Sequence, residues 1–190
     1  MKYPNGIKKT NNKIIVHGNR GMQLESDINI TNLYYLENNI AVIHKKPTPI
    51  KIVSVNYDKM MIKEAYFEAP STTDYNGLYK GYYIDFEAKE TKNKTSFPIT
   101  NIHKHQLEHL KNIIKMGGIA FIIVRFTSLN ETYLLEGNKL FKHITDDNKS
   151  IPLSYFKEQG YIIKEKLQPR LDYLKIIDEI IKGEDYEKNV

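Results

Sequence analysis

Asp74 stands in the run Ser71-Thr72-Thr73-Asp74-Tyr75-Asn76-Gly77, and thirteen residues after it comes Glu87-Ala88-Lys89. An acid in a turn, then an acid and a lysine two apart on a strand, can hold a hard divalent cation against a phosphodiester. The second half of the pattern lies in Tyr82-Tyr83-Ile84-Asp85-Phe86-Glu87-Ala88-Lys89, which reads as a strand. Side chains alternate along a strand, so Ile84, Phe86 and Ala88 share an apolar face. Asp85, Glu87 and Lys89 share the other, spaced by about 7 Å. Lysine beside carboxylates lowers their pKa and keeps them ionised, as a cation such as Mg2+ requires. Taken without its flanks, the same pattern also describes a solvated, charged strand face.

The surrounding elements must place Asp74 against that strand. Leu24, Ile28, Thr31 and Tyr35, with Leu36 nearby, put a helix over 21–39. Ile40-Ala41-Val42-Ile43 reads as a short buried strand, broken by Pro47-Thr48-Pro49. Residues 50–57 and 62–67 alternate as two strands around a tip at Asp58-Lys59-Met60-Met61. Their thin apolar content and frequent lysines suggest a hairpin that projects from the body. Gly77 and Gly81 bracket a turn before the strand at 82–89, and a lysine-rich loop follows at 90–96. A helix is expected at 101–116, with Leu107, Leu110, Ile113 and Ile114 inward and Gly117-Gly118 closing it. Ile119 to Phe126 is continuously apolar and reads as a central buried strand. Thr132 to Leu135 pairs with it after a turn at Ser128-Leu129-Asn130. A short helix is expected at 151–159, and a last amphipathic helix at 171–182 stopped by Gly183. This order of helix, strands, helix and buried strand gives an α/β fold with a mixed sheet.

The 190 residues fit one domain, and a hydrophobic fraction of 41% suffices for a core. Residues 1–19 read as a flexible basic arm, 20–183 as a single domain and 184–190 as a disordered acidic tail. A net charge of +5 favours an anionic partner, nucleic acid first. The chain has no cysteine, which excludes disulfides and thiolate zinc sites and suits the cytoplasm. The first residues carry no apolar signal region, and no apolar run approaches the ~18 residues of a membrane span.

The 71–98 segment closely resembles the RecU Holliday junction resolvases of bacteria. So do Asn19-Arg20-Gly21-Met22, the run from Ile40 to Pro49, the run from Ile62 to Phe67, His105-Gln106-Leu107-Glu108-His109, and Pro169-Arg170-Leu171-Asp172-Tyr173. The resemblance covers nearly the whole chain from Asn19 to the last helix. It implies a restriction-endonuclease-like nuclease domain with a protruding β-hairpin stalk at about 47–67. It implies a homodimer that nicks two strands symmetrically across a four-way DNA junction with Mg2+, for which Mn2+ substitutes, in recombination and repair. The family is also implicated in binding RecA and the branch-migration ATPase. Thr73 replaces the superfamily's usual proline, as is this family's habit. The hairpin tip looks shortened, which bears on any RecA contact, and the N-terminal arm is short for the family.

On that resemblance Asp74, Glu87 and Lys89 are the catalytic set. Asp74 and Glu87 ligate the metal, the Ala88 carbonyl can reach it, and Lys89 orients the attacking water or stabilises transition-state charge. Thr73 can hydrogen-bond a metal water or a phosphate, and Gln106 can position the water. Asp85 either completes the metal shell or is a structural acid bonded to a neighbouring loop. Glu25 on the first helix can approach the site. His105 and His109, with His103 near, have zinc-like spacing but neither a glutamate in the required order nor a thiolate, which favours a solvated or DNA-facing role. Arg20, Lys45, Lys46, Lys51, Lys80, Lys92 and Lys94 are candidate phosphate contacts. Tyr75, Tyr79, Tyr82 and Tyr83 can stack on unpaired bases, with core packing the fate of at least two. The rivals are a nuclease of the same fold acting on linear duplex, and an architectural junction-binding protein with structural acids.

Overall fold

The Leu24, Ile28, Thr31 and Tyr35 stripe turns inward on α1 (Gln23–Glu37) in the computed structural model, which describes residues 23–68, 72–145 and 147–188. Leu36, expected beside the stripe, is 44% exposed, because it lies a further 100° round the helix from Tyr35. Thr31 is buried for its hydroxyl, which accepts the Leu171 N–H at 2.9 Å. Tyr35 OH donates to Asp172 Oδ1 at 3.2 Å, and Tyr173 OH donates to Asn32. These bonds tie α1 to the segment before the last helix.

The chain continues through β1 (Val42–Lys45), β2 (Ile50–Asn56), β3 (Met61–Phe67), β4 (Tyr75–Tyr79) and β5 (Tyr82–Thr91). After β6 (Ser96–Pro98) and a 3-10 turn (Ile99–Asn101) come α2 (Lys104–Lys115), β7 (Ile119–Phe126) and β8 (Glu131–Glu136). Then follow α3 (Gly137–His143), β9 (Ser150–Pro152), α4 (Leu153–Gln159), β10 (Tyr161–Ile162) and α5 (Leu174–Lys188). Six strands form one sheet in the order β1-β4-β5-β7-β8-β10. Only β5 and β7 run parallel; the other pairs are antiparallel, so the sheet is mixed. The connection between the two parallel strands carries α2, as a parallel crossover needs a long excursion.

Helices cover both faces. Residues of α1 and α5 close over Ile84, Phe86, Phe121 and Ile123 on one face. Leu110 of α2, Leu140 of α3 and Phe156 of α4 close over Ala120, Ile122 and Val124 on the other. The first face carries a stack of rings, Tyr75 on Phe86 and Phe86 on Phe121, each pair 4.8 Å apart. This is the mixed α/β sheet flanked by helices that the resemblance implies. β2 and β3 form a separate two-stranded sheet, closed at its base by the Glu68 N–H to Pro49 carbonyl bond of 3.0 Å.

Several elements differ from the sequence reading. The segment at 40–43 is not a buried strand: β1 is an edge strand in which only Ile43 is buried. The 101–116 helix starts at Lys104, since the Gln106 side chain accepts the His103 N–H at 2.9 Å and caps it there. Ile151 and Pro152 belong to β9, and α4 starts after the proline. The last helix begins at Leu174 and runs past Gly183 to Lys188, where a stop and a disordered tail were expected, since a glycine lowers helix propensity without forbidding it. α3 and β10 had no readable period, being seven and two residues long.

The β4–β5 connection sets the register that matters. Lys80 and Gly81 both have positive φ, 49° and 85°, as a tight primed hairpin turn requires. The turn pairs Tyr79 with Tyr82, Asn76 with Asp85 and Tyr75 with Phe86, which brings Asp74 beside Glu87. β1 packs against β4 so closely at Gly77 that an added Cβ would lie 2.1 Å from the Val42 carbonyl oxygen and 2.6 Å from Ile43 Cα. Backbone cannot give way as a side-chain tip can. Gly77→Ala is expected to destabilise the fold by about 1–3 kcal/mol, read as a lower urea midpoint.

Candidate active site

Asp85 and Glu87 point from β5 towards α2, and that face is dry. Both side chains are 0% exposed, so this is not the solvated charged face that the pattern, taken without its flanks, also describes. The physical reason is the α2 cover, which a strand pattern does not display.

Glu87 Oε2 accepts the Asp74 N–H at 3.1 Å, so the two acids of the pattern do meet. Lys89 Nζ lies 2.5 Å from Glu87 Oε1, an ion-pair distance, but off the hydrogen-bonding direction. Oε1 is therefore a buried oxygen without a hydrogen-bond donor. Burial pushes the Glu87 carboxyl up to about 8, with the Asp74 carboxyl adding to the rise and Lys89 opposing it. Burial and the neighbouring acid act against the ionised state that the pattern expects here, and one partly exposed ammonium opposes them.

On the opposite side of β5 a cleft of about 40 Å³ is lined by Leu24, Glu25, Asp74, Tyr75, Ala88 and Glu90. Asp74 thus reaches both Glu87 and this cleft. Glu25, expected to approach the site, does so and also pairs with Lys45. Glu90 was not anticipated; its Oε1 accepts the Leu24 N–H at 2.8 Å and anchors the start of α1 beside the cleft. The period-2 pattern placed it away from Glu87, and only the nearness of α1 makes that position part of the site.

Asp85 is a different case from Glu87. Oδ1 accepts the Thr73 hydroxyl, and Oδ2 lies 2.8 Å from Lys46 Nζ, 3.0 Å from Tyr83 OH and 3.1 Å from His109 Nε2. Four partners, three of them on Oδ2, hold this carboxylate firmly, which favours the structural one of the two roles open for Asp85. Thr73 donates its hydroxyl to Asp85 and accepts from Lys46 Nζ at 2.9 Å. Gln106 is buried and caps α2.

The histidines do not form a zinc pair. His109 is bonded to Asp85 and is not simply solvated, His105 Nε2 is buried without a partner, and His103 and His105 stack at 5.4 Å. Three of the candidate phosphate contacts are already paired with acids: Lys45 with Glu25, Lys46 with Asp85, and Lys80 with Asp178 at 2.6 Å. Lys92 and Lys94 are exposed in the loop after β5, and Lys51 lies over the Tyr66 ring at 5.9 Å on the hairpin. Arg20 lies outside the described residues. Tyr75 and Tyr79 are core residues and Tyr82 packs against the core, while Tyr83 is partly exposed.

The family description Recombination protein U matches residues 19–179. The chain belongs to the RecU family. It is 51% identical to the proteins named Holliday junction resolvase RecU from Staphylococcus aureus strains JH9 and JH1, over 99% of this chain and 100% of each relative. A search of solved structures finds Hjc of Archaeoglobus fulgidus, described as a Holliday junction resolvase, at 14% identity and a TM-score of 0.44, covering 73% of this chain and 93% of that one.

Nucleases of the RecU superfamily generally use a divalent metal ion, and the residues here fit one. Asp74 and Glu87 are hard oxygen donors, and the buried Glu87 Oε1, with the Lys89 ammonium beside it but no aligned donor, is an oxygen that a metal ion could take. Among the described residues no three histidine or acidic side chains converge to cage a metal alone. A hard divalent ion held by two carboxylates completes its shell with water and substrate oxygens.

The raised Glu87 value has a sign. With a folded pKa of about 8 against an ordinary 4.5, the fold keeps this proton over a range where the unfolded chain has lost it. Its contribution to stability is full below about 4.5 and is lost as pH rises through about 8. In EDTA, urea midpoints from pH 4.5 to 9 should fall more steeply in the parent protein than in Glu87→Gln. Divalent-ion affinity should climb over the same range, because binding displaces the proton.

Proposed function

We propose that this RecU chain is a Holliday junction resolvase: an endodeoxyribonuclease that uses Mg2+ to nick two strands placed symmetrically across a four-way junction. The observation that carries the reading is the meeting of Asp74 with a buried, donor-poor Glu87 beside Lys89. The names of the 51% identical relatives support it.

Asp74 and Glu87 would hold the ion, with the Ala88 carbonyl at the same place on β5. The bound ion supplies a low-pKa water and neutralises phosphoryl oxygens. Glu87 is anchored by the Asp74 N–H, so its second oxygen stays aimed. Lys89, close to that oxygen, is placed to face the charge that develops on the phosphoryl group. Burial under α2 keeps water from screening these charges, so each acts more strongly than it would at a surface.

Recognition of junction shape needs contacts spread over several duplex arms. Lys92 and Lys94 in the exposed loop after β5, and Lys51 on the hairpin, are the candidate cations that no acid pairs among the described residues. The hairpin also presents Tyr57, Met60 and Phe67, with Met60 87% exposed, as surfaces for unstacked bases. Paired nicks call for two copies, so the working unit is read as a homodimer; RecA and the branch-migration ATPase are the partners the family reading adds.

The test is a nicking assay on a synthetic four-way junction and on its linear duplex, with Mg2+ and with EDTA. Paired Mg2+-dependent nicks on the junction alone are expected. Equal cutting of the duplex would reject junction specificity, and binding without cutting under any divalent ion would reject the nuclease. Asp74→Ala and Glu87→Ala should each reduce cutting by about 10³-fold or more, comparable with removing a main transition-state contact, with junction affinity retained.

A further inference from the structure

Lys46 lies four residues before β2, and Thr73 six residues after β3. The two feet of the hairpin therefore converge on one carboxylate, Asp85, through Lys46 Nζ at 2.8 Å and the Thr73 hydroxyl. Lys46 Nζ also donates to Thr73 Oγ1 at 2.9 Å, which closes the ring of three side chains. The backbone repeats the tie: the Lys46 N–H donates to the Asp74 carbonyl at 2.7 Å. Asp74 in turn donates its N–H to Glu87, two residues along β5 from Asp85.

Tyr83 and His109 hold Asp85 from β5 itself and from α2, so it cannot shift without disturbing both. A buried carboxylate that accepts this many donors is fixed in position, and it fixes its donors in turn. Breaking one partner of such a set leaves an uncompensated buried charge.

We infer that Asp85 is a positioning residue: it pins both feet of the hairpin to the active-site strand, and so holds Asp74 in place to take the metal with Glu87. This rests on the reading of Asp74 and Glu87 as the metal-holding pair.

The experiment uses the full chain and three variants: Asp85→Asn, which keeps the shape and removes the charge; Lys46→Met, which removes the cation; and the double variant. Mn2+ affinity is measured without DNA, amide exchange at 72–76 without metal, junction affinity in EDTA, and nicking rate against Mg2+ concentration. Both single variants should weaken Mn2+ binding by about 10–100-fold, the usual effect of losing a partner that orients a ligand. Exchange at 72–76 should quicken, junction affinity should hold, and raised Mg2+ should recover much of the rate. The double variant should cost little more than either single one, because both remove the same contact. Wild-type Mn2+ affinity in Asp85→Asn and Lys46→Met overturns the inference. So does a rate loss that Mg2+ does not relieve. If Asp85→Asn does not fold, Lys46→Met alone decides by the same readings. Failure of the underlying reading is separate: it would show as cutting by Asp74→Ala, whatever Asp85→Asn does.

Discussion

Two carboxylates two residues apart on β5 are both fully buried, and they are satisfied in opposite ways. Burying an ionised carboxylate is costly unless it is paired and hydrogen-bonded. Asp85 meets that condition with four donors drawn from β5, α2 and the two feet of the hairpin. Glu87 does not: it has one backbone donor and a lysine at poor angle, and burial pushes its carboxyl up to about 8. The first acid spends its charge on holding the structure. The second is left with an oxygen that no hydrogen-bond donor satisfies. Much of the remaining architecture serves to keep these two environments distinct.

The sheet makes that separation possible. β5 sits between β4 and β7, so its backbone is paired on both sides and its side chains are held to a fixed alternation. The ring stack of Tyr75, Phe86 and Phe121 fills one face, and α2 closes the other. Arg125, inside the otherwise apolar β7, is paired with Asp27 at 2.7 Å and Glu165 at 3.2 Å, which holds α1 close to the far end of β5. Glu25 and Glu90 reach the cleft beside Asp74 because α1 is fixed there. A primed turn at Lys80-Gly81 then sets the one register in which Asp74 and Glu87 meet.

Much of the chemistry was legible in the residues. Asp74, Glu87 and Lys89 were marked by type and spacing, and the flanking strings carried the family. Strand β7 and helix α2 were legible because long periodic or continuously apolar segments leave little alternative. What failed locally failed for identifiable reasons. Short elements such as α3 and β10 have too few residues to show a period. Lysines 45, 46 and 80 looked alike as surface cations, yet each is paired with an acid at least 20 residues distant in sequence.

The sequence by itself determined which groups are available: two acids and a lysine on one strand, with apolar residues between them that force the strand into a sheet. Local alternation is a property of the backbone, and it needs no knowledge of the rest of the chain. Only the tertiary structure decided what each group's surroundings make of it. Asp85 and Glu87 share a strand and a face, but Lys46, Thr73 and His109 converge on the first and not on the second. Charge state and role depend on those distant partners, because desolvation and pairing are set by what packs around a carboxylate and not by its neighbours in sequence.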